Sequence, residues 1–268
     1  MSCERALDDI VTEFLVSTCR LRPQPRKYGV WAAALCSGAA KQAVNDADTE
    51  ITPLITGSVA EFYIEPMLPH VGDIDVMFYL DTELAIPRGH PPPTQLGPAE
   101  FHNYVYVLEI IDSHLHGYVY LELRYLLTQC SDDGNYNAVQ CDREQYLLNR
   151  LGIYHGTEEA VGHGPAVSSI SKNPELSFDI VRCVRCLVWP PQAADWPTRH
   201  RNCGWPDSAT LDSVVSNGCD VVGVAHRQCR KDEWMSKHQQ RLSFSRAEIV
   251  LINSWMPVQQ IVLCYDIS

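Results

Sequence analysis

Apolar residues near the start of the chain recur at helical spacing. Leu7, Ile10, Val11, Phe14 and Leu15 share one side of a 3.6-residue turn and predict an amphipathic helix. A second helical stretch is expected from about Val30 to Asn45, after a basic, proline-containing connection with Arg20, Arg22, Arg26 and Lys27. From residue 51 the pattern changes to strand character. ITPLITGSVAEFYIEP mixes β-formers with a Gly-Ser turn, and VGDIDVMFYL reads as a strand. AIPRGHPPPTQLGPAEF is rich in proline and glycine and predicts a loop. VYVLEIID and YVYLELRYLL predict a hairpin joined by SHLHG, and REQYLLNRL a short helix. GTEEAVGHGPAVSSISKNP reads as irregular, and ELSFDIVRCVRCLVW as a strand. WPPQAADWPTRHRNCGWP cannot be regular, because Pro190, Pro191, Pro197 and Pro206 interrupt it. SATLDSVVSNG predicts a capped helix ending at Gly218. CDVVGVAH and RLSFS are expected strands, with Ser245 capping a helix over RAEIVLINSWM. Strands and helices mix without a regular βαβ rhythm, which favours an α+β domain over a doubly wound sheet.

The strand VGDIDVMFYL poses the first chemical question. Residues i and i+2 of a strand point the same way, so Asp73 and Asp75 would stand side by side and repel each other. A divalent cation resolves that repulsion, and paired carboxylates are hard oxygen ligands suited to magnesium. Separated from that pair by fourteen residues, Gly57-Ser58 offers a backbone able to approach a phosphate closely, plus a hydroxyl donor. Together they fit metal-assisted phosphoryl or nucleotidyl transfer. A solvated strand end explains the pair equally simply. Asp179, in SFDIVRC, is a candidate third carboxylate from a neighbouring strand; the alternative is an edge-strand residue facing solvent.

Composition adds three bounds. The formal charge of −12 argues against a protein that coats nucleic acid, although a local basic patch can exist within an acidic total. The basic residues Arg20, Arg22, Arg26, Lys27 and Lys41 could form such a patch, with a solvated surface the favoured reading. Eleven cysteines without a recognisable signal peptide are expected as reduced thiols in the cytoplasm, most of them small buried hydrophobes. The CVRC motif, Cys183 to Cys186, suggests zinc, with His226, Cys229 and His238 as possible completing ligands. On a strand, however, positions i and i+3 face opposite sides. In RLSFSRAE, Arg241, Ser243 and Ser245 alternate onto one face, and Ser245 with Glu248 predicts a capping box. The same hydroxyls could also meet an anion at a helix N-terminus.

The segments GSVAEF…GDIDVMF, FDIVRCVRCLVWPPQAADWP, GWP and RLSFSRAE follow one another across most of the chain, from about Thr52 to Trp255. In this order they resemble the cyclic GMP-AMP synthase and Mab-type nucleotidyltransferase family, most closely its invertebrate receptor branch. The resemblance implies a polymerase-β-like nucleotidyltransferase core, a mixed central sheet flanked by helices, with the helical second lobe truncated or missing. It implies that Gly57 and Ser58 hold a triphosphate. Asp73, Asp75 and Asp179 would ligate two magnesium or manganese ions, one activating the attacking ribose hydroxyl and one neutralising the leaving pyrophosphate. Asp179 would be the general base, and Arg241, Ser243, Ser245 and Glu248 would contact nucleotides. ATP and GTP, or other nucleoside triphosphates, would be joined into a cyclic dinucleotide for innate immune signalling. Double-stranded RNA or DNA would activate the protein along a basic face beside the Val30–Asn45 helix. No membrane partner is expected.

The expected organisation is N-terminal helices over residues 1–50, a core with the metal site over 51–190, and a Pro/Trp-rich connection, helix, strands and final helix over 191–268. Two further functions remain open at this point: a catalytically inactive Mab-type interaction or developmental protein, and an enzyme adding a single nucleotide to an acceptor.

Overall fold

The computed structural model describes residues 51–57, 73–97, 100–141, 161–163, 166–170, 177–201, 204–224, 226 and 238–255. The helices expected before residue 50, the short helix at REQYLLNRL and the N-terminal basic cluster lie outside the described residues.

Branched and aromatic residues in alternation produce the strands. They are β1 (Ile51–Thr56), β2 (Asp73–Leu80), β3 (Glu83–Pro87), β4 (Tyr104–Asp112), β5 (Tyr118–Gln129) and β6 (Tyr136–Gln140). After these come β7 (Val161–His163), β8 (Ala166–Ile170), β9 (Ser177–Cys186), β10 (Cys219–Val222) and β11 (Gln240–Ser243). Two α-helices are described, α1 (Ser208–Ser216) and α2 (Ser245–Asn253), with a 3-10 turn at Pro191–Ala193. Parallel pairs (β2 with β9, β3 with β4 and with β9) sit among antiparallel ones, a mixed sheet consistent with an α+β fold.

The strand order runs β1-β2-β9-β10-β11-β5-β4-β3, and β3 returns to pair with β9. The path from β9 through β10, β11, β5, β4 and β3 therefore closes into a small barrel. Its interior draws on every one of those strands: Val184 and Cys186, Cys219 and Val221, Leu242, Val119 and Leu121, Leu108 and Ile110, and Ala85. Closure removes the free edges that a sheet of this size would otherwise expose. Strand β9 is the shared element. Its second half, Cys183–Cys186, pairs with β10 and belongs to the barrel. Its first half runs beyond it, between β2 on one side and β8 on the other.

The hairpin foreseen around SHLHG is present, with Asp112 opposite Val119. Two segments read as loops carry strands instead. Glu83–Pro87 forms β3, because its ladder partners come from distant β4 and β9. Pro87 ends the strand, where its missing N–H costs little. The segment around Val161–Ile170 forms β7 and β8, since β9 supplies a ladder that the glycine-rich local sequence does not advertise. Strand β6, too polar to be read from the sequence, pairs with β5 and leaves four of its five residues exposed.

The described residues between β9 and α1 contain no regular element beyond the 3-10 turn, as the prolines require. Helix α1 is capped by Asp207, whose carboxylate accepts from the Thr210 N–H at 2.8 Å. It ends at Gly218 with φ +64°; a Cβ there would run into the Cys186 carbonyl, so only glycine fits the close return to β9. Arg185 ties this return down. Its guanidinium donates to the carbonyls of Cys186 and Cys219, each at 2.9 Å, and to that of Asn217 at the helix end.

Candidate active site

Two of the three expected carboxylates meet because β2 and β9 run parallel and in register. Asp75 lies opposite Asp179, and Asp73 opposite Ser177. Register partners on neighbouring parallel strands face the same side, and strands lie about 4.8 Å apart. Residues separated by 103 positions in the chain thus present adjacent carboxylates, both half-buried. Asp73 has the same strand parity as Asp75; its side chain lies outside the described residues.

The approach of Gly57 completes this corner. Strand β1 pairs antiparallel with β2, with Thr56 opposite Asp75, and the Thr56 hydroxyl donates to the Asp75 carbonyl at 3.5 Å. The chain then turns at Gly57 with φ +68°. A Cβ on Gly57 would collide with the Asp75 carboxylate, so the turn is open to glycine alone on both backbone and contact grounds. Ser58 lies outside the described residues. Among the described side chains no group of three or more His, Cys, Asp or Glu gathers in metal-binding geometry. The two-carboxylate corner nevertheless fits a hard divalent cation by donor chemistry.

The face that carries Asp75 and Asp179 continues along both strands as an apolar patch. Met77, Tyr79, Cys183 and Val222 form it, with Leu54, Val181 and Val224 packed alongside. Strand β11 and helix α2 close over this patch. The Ser243 hydroxyl lies 3.9 Å from the Met77 sulfur and 3.2 Å from the Ser245 hydroxyl. Both serines therefore sit above β2, beyond the carboxylates on the same face.

Arg241 and Glu248 are both exposed. Arg241 is level with Val222 and, through it, with Cys183: two strands across from β9 and four residues past Asp179. The structure thus gathers Gly57, Asp75 and Asp179 in one corner and Ser243 with Ser245 beside it, and leaves Arg241 and Glu248 at the rim.

The expected capping box does not form. Ser245 is the first residue of α2, not its cap; Phe244 takes the cap position without a side-chain hydrogen bond. Phe244 is held there by packing against the barrel core and against the Trp189 ring, 5.2 Å between centroids. That anchoring shifts the helix start by one residue. The Ser245 hydroxyl is engaged with Ser243 instead.

The model of the Mab-21 protein nucleotidyltransferase domain matches residues 114–254, more than half of the chain. The chain belongs to the Mab-21 family. This family includes cyclic GMP-AMP synthase-like proteins, in agreement with the resemblance carried by WPPQAADWP and RLSFSRAE. The matched span takes in Asp179, Arg241, Ser243, Ser245 and Glu248, and it begins after β2. Asp73 and Asp75 join that domain through the β2–β9 register, an observation of tertiary structure that the match itself does not supply.

Two residues of this nucleotidyltransferase domain were not singled out from the sequence. Asp220 is completely buried on β10, and Arg246 Nε donates to its Oδ2 at 2.9 Å. The signal was available, since CDVV is an apolar strand holding a carboxylate, the same anomaly that drew attention to Asp75. Cys183 lies 3.8 Å from Asp220 Oδ1, and burial, followed by this carboxylate, pushes its thiol well above the ordinary range. Cys183 and Cys186 face opposite sides of β9, one on the outer patch and one in the barrel, so a single zinc ion cannot take both. Of the suggested completing ligands, Cys229 lies outside the described residues. No helix among the described residues is long and apolar enough to cross a membrane.

Proposed function

We propose that this nucleotidyltransferase-domain protein is a metal-dependent enzyme that joins nucleoside triphosphates, ATP and GTP among them, into a cyclic dinucleotide. The observation that carries the reading is the pairing of Asp75 with Asp179 in register across β2 and β9, beside the Gly57 turn. Asp75 and Asp179, with Asp73 by its strand position, would hold two magnesium or manganese ions. When bound, those ions neutralise phosphate charge and favour deprotonation of an attacking ribose hydroxyl.

The protein's own contribution is placement. Gly57 lets the backbone pass directly against the Asp75 carboxylate, and its turn would hold a triphosphate, with Ser58 next in the chain as hydroxyl donor. Asp179, fixed by strand pairing on both flanks of β9, is the candidate to accept the ribose hydroxyl proton. Ser243 and Ser245 offer hydroxyls to the nucleotide, and Arg241 and Glu248 contact it from the rim. Double-stranded RNA or DNA is the proposed activator, the cytoplasm the proposed setting, and innate immune signalling the proposed context.

The test is incubation with labelled ATP and GTP, magnesium or manganese, and double-stranded RNA or DNA, followed by product identification. A cyclic product that disappears in Asp75→Asn supports the reading. Nucleotide binding without turnover under any activator would replace it with a non-catalytic interaction protein. A mononucleotide-tagged acceptor would replace it with single-step nucleotidyl transfer.

A further inference from the structure

We infer that Arg246 is a positioning residue that clamps the start of α2 to β2 and β10 and so fixes the distance between the Ser243–Ser245 hydroxyls and the Asp75–Asp179 carboxylates. The inference rests on the nucleotidyltransferase reading of those four residues. Arg246 directly follows Ser245. Its Nε donates to Asp220, which is 0% exposed, and its guanidinium lies over the Tyr79 ring at 5.4 Å from the centroid. Tyr79 stands four residues beyond Asp75 on the same strand and the same face. Asp220 is opposite both Arg185 of β9 and Ser243 of β11. One side chain therefore links the strand bearing Asp75, the strand next to that bearing Asp179, and the turn bearing both serines.

The energetics favour placement over stability as the use of this link. The Arg246 side chain is only 18% exposed, and its Nη2 is buried with no hydrogen-bond partner among the described residues. Apolar or neutral residues in place of both Arg246 and Asp220 would cost little, whereas removing Arg246 alone would leave the Asp220 carboxylate buried without its counter-ion. The pair does gain direction: the guanidinium must meet the Asp220 carboxylate and stay over the Tyr79 ring at once, which holds the helix start against both strands. The paired substitution Asp220→Asn/Arg246→Met would fill the same space without that constraint and without a stranded charge.

The experiment uses the full chain and two readouts: equilibrium binding of a non-hydrolysable ATP analogue with magnesium, and hydrogen exchange of the amides at 244–249. In the double variant Asp220→Asn/Arg246→Met, which leaves no buried charge, binding should weaken about tenfold or more, because small displacements of positioned groups carry large penalties. Exchange should quicken across 244–249 while β5 keeps its protection. Arg246→Lys should restore part of both effects, since an ammonium can still reach Asp220 but cannot lie flat on Tyr79. Arg124→Met, on the outer wall of the barrel with Glu109 and Glu122, should change neither readout.

Unchanged binding and unchanged exchange in Asp220→Asn/Arg246→Met overturn the inference. So does protection lost evenly through β5 and β10 without rescue by lysine, which marks a purely structural residue. A parent protein that binds no analogue overturns the nucleotide reading instead. The exchange data then decide the clamp alone: loosening confined to 244–249 supports it, and none overturns it.

Discussion

The barrel interior and the outer patch around Asp75 are built on the same strand, yet they obey different rules. Inside, Val184 and Cys186 of β9 pack in one cluster with Cys219 and apolar residues from five other strands, and Gln240, opposite Val119, is a buried polar residue of the same wall. Outside, a few residues earlier, β9 presents Asp179 beside Asp75, and the patch beyond them holds the buried Asp220–Arg246 pair. The closed interior is filled mainly by apolar burial, which contributes stability. The open face accepts charge only where register, glycine or a counter-ion accommodates it. The proposed site lies where the strand leaves the barrel, because there one flank of β9 passes from barrel pairing to β2.

Substitutions can separate the two regions. Asp179→Asn should leave the fold intact, with an unchanged melting temperature, and reduce nucleotidyl transfer by on the order of 100-fold or more, measured as initial rate at saturating magnesium. If transfer proceeds normally, the carboxylate corner is not the reaction centre. Leu121→Ala should do the reverse. Leu121 is fully buried in the barrel, and its truncation should cost about 2–5 kcal/mol in chemical denaturation while the residual folded fraction keeps its nucleotide affinity. A loss of affinity at full folding would show that the two regions are coupled.

Gly57→Ala should fall between them. The added methyl meets the Asp75 carboxylate, and the backbone is held at φ +68°, a conformation that costs a side chain about 1–2 kcal/mol. Magnesium-dependent nucleotide binding should weaken more than stability does, and calorimetry with parallel melting curves distinguishes the two.

Thiol reactivity gives a subtler contrast. Burial, reinforced by Asp220, keeps Cys183 protonated, whereas Cys130 is exposed. Brief alkylation at pH 8 followed by peptide mapping should label Cys130 and spare Cys183 until denaturant is added. Labelling of native Cys183 at a comparable rate would show that the patch opens readily.

The smallest effect concerns Asp207. Its hydrogen bonds to the Thr210 side chain and backbone N–H lower its pKa from 3.8. A carboxylate lowered in the folded state stabilises above its unfolded pKa, and that contribution disappears as pH falls through the folded value. Helix α1 should therefore fray slightly below pH 3.8 in the parent protein, and Asp207→Asn should remove that pH dependence, read by amide exchange at 208–211.

Much of this was legible locally. The hairpin around SHLHG, the β2 and β9 strands, the irregular proline-rich connection and the helix ending at Gly218 all follow from alternation, glycine and proline. The three Asp and two Ser of the candidate site stood out as polar residues in apolar surroundings. Strands β3, β7 and β8 did not, because their ladders are completed by partners far away in the chain. The start of α2 was misplaced by one residue because Phe244 answers to Trp189 and the barrel, not to the capping preference of Ser245.

The sequence by itself determined which residues carry charge, where the backbone can turn, and which family segments stand in order, since those depend on side-chain identity and neighbours within a few positions. Only the tertiary structure decided that Asp75 faces Asp179, that Gly57 leaves room for their carboxylates, and that Arg246 joins Asp220 to Tyr79. Each is a contact between strands or a strand and a helix, and strand register is fixed by the burial of whole faces against one another.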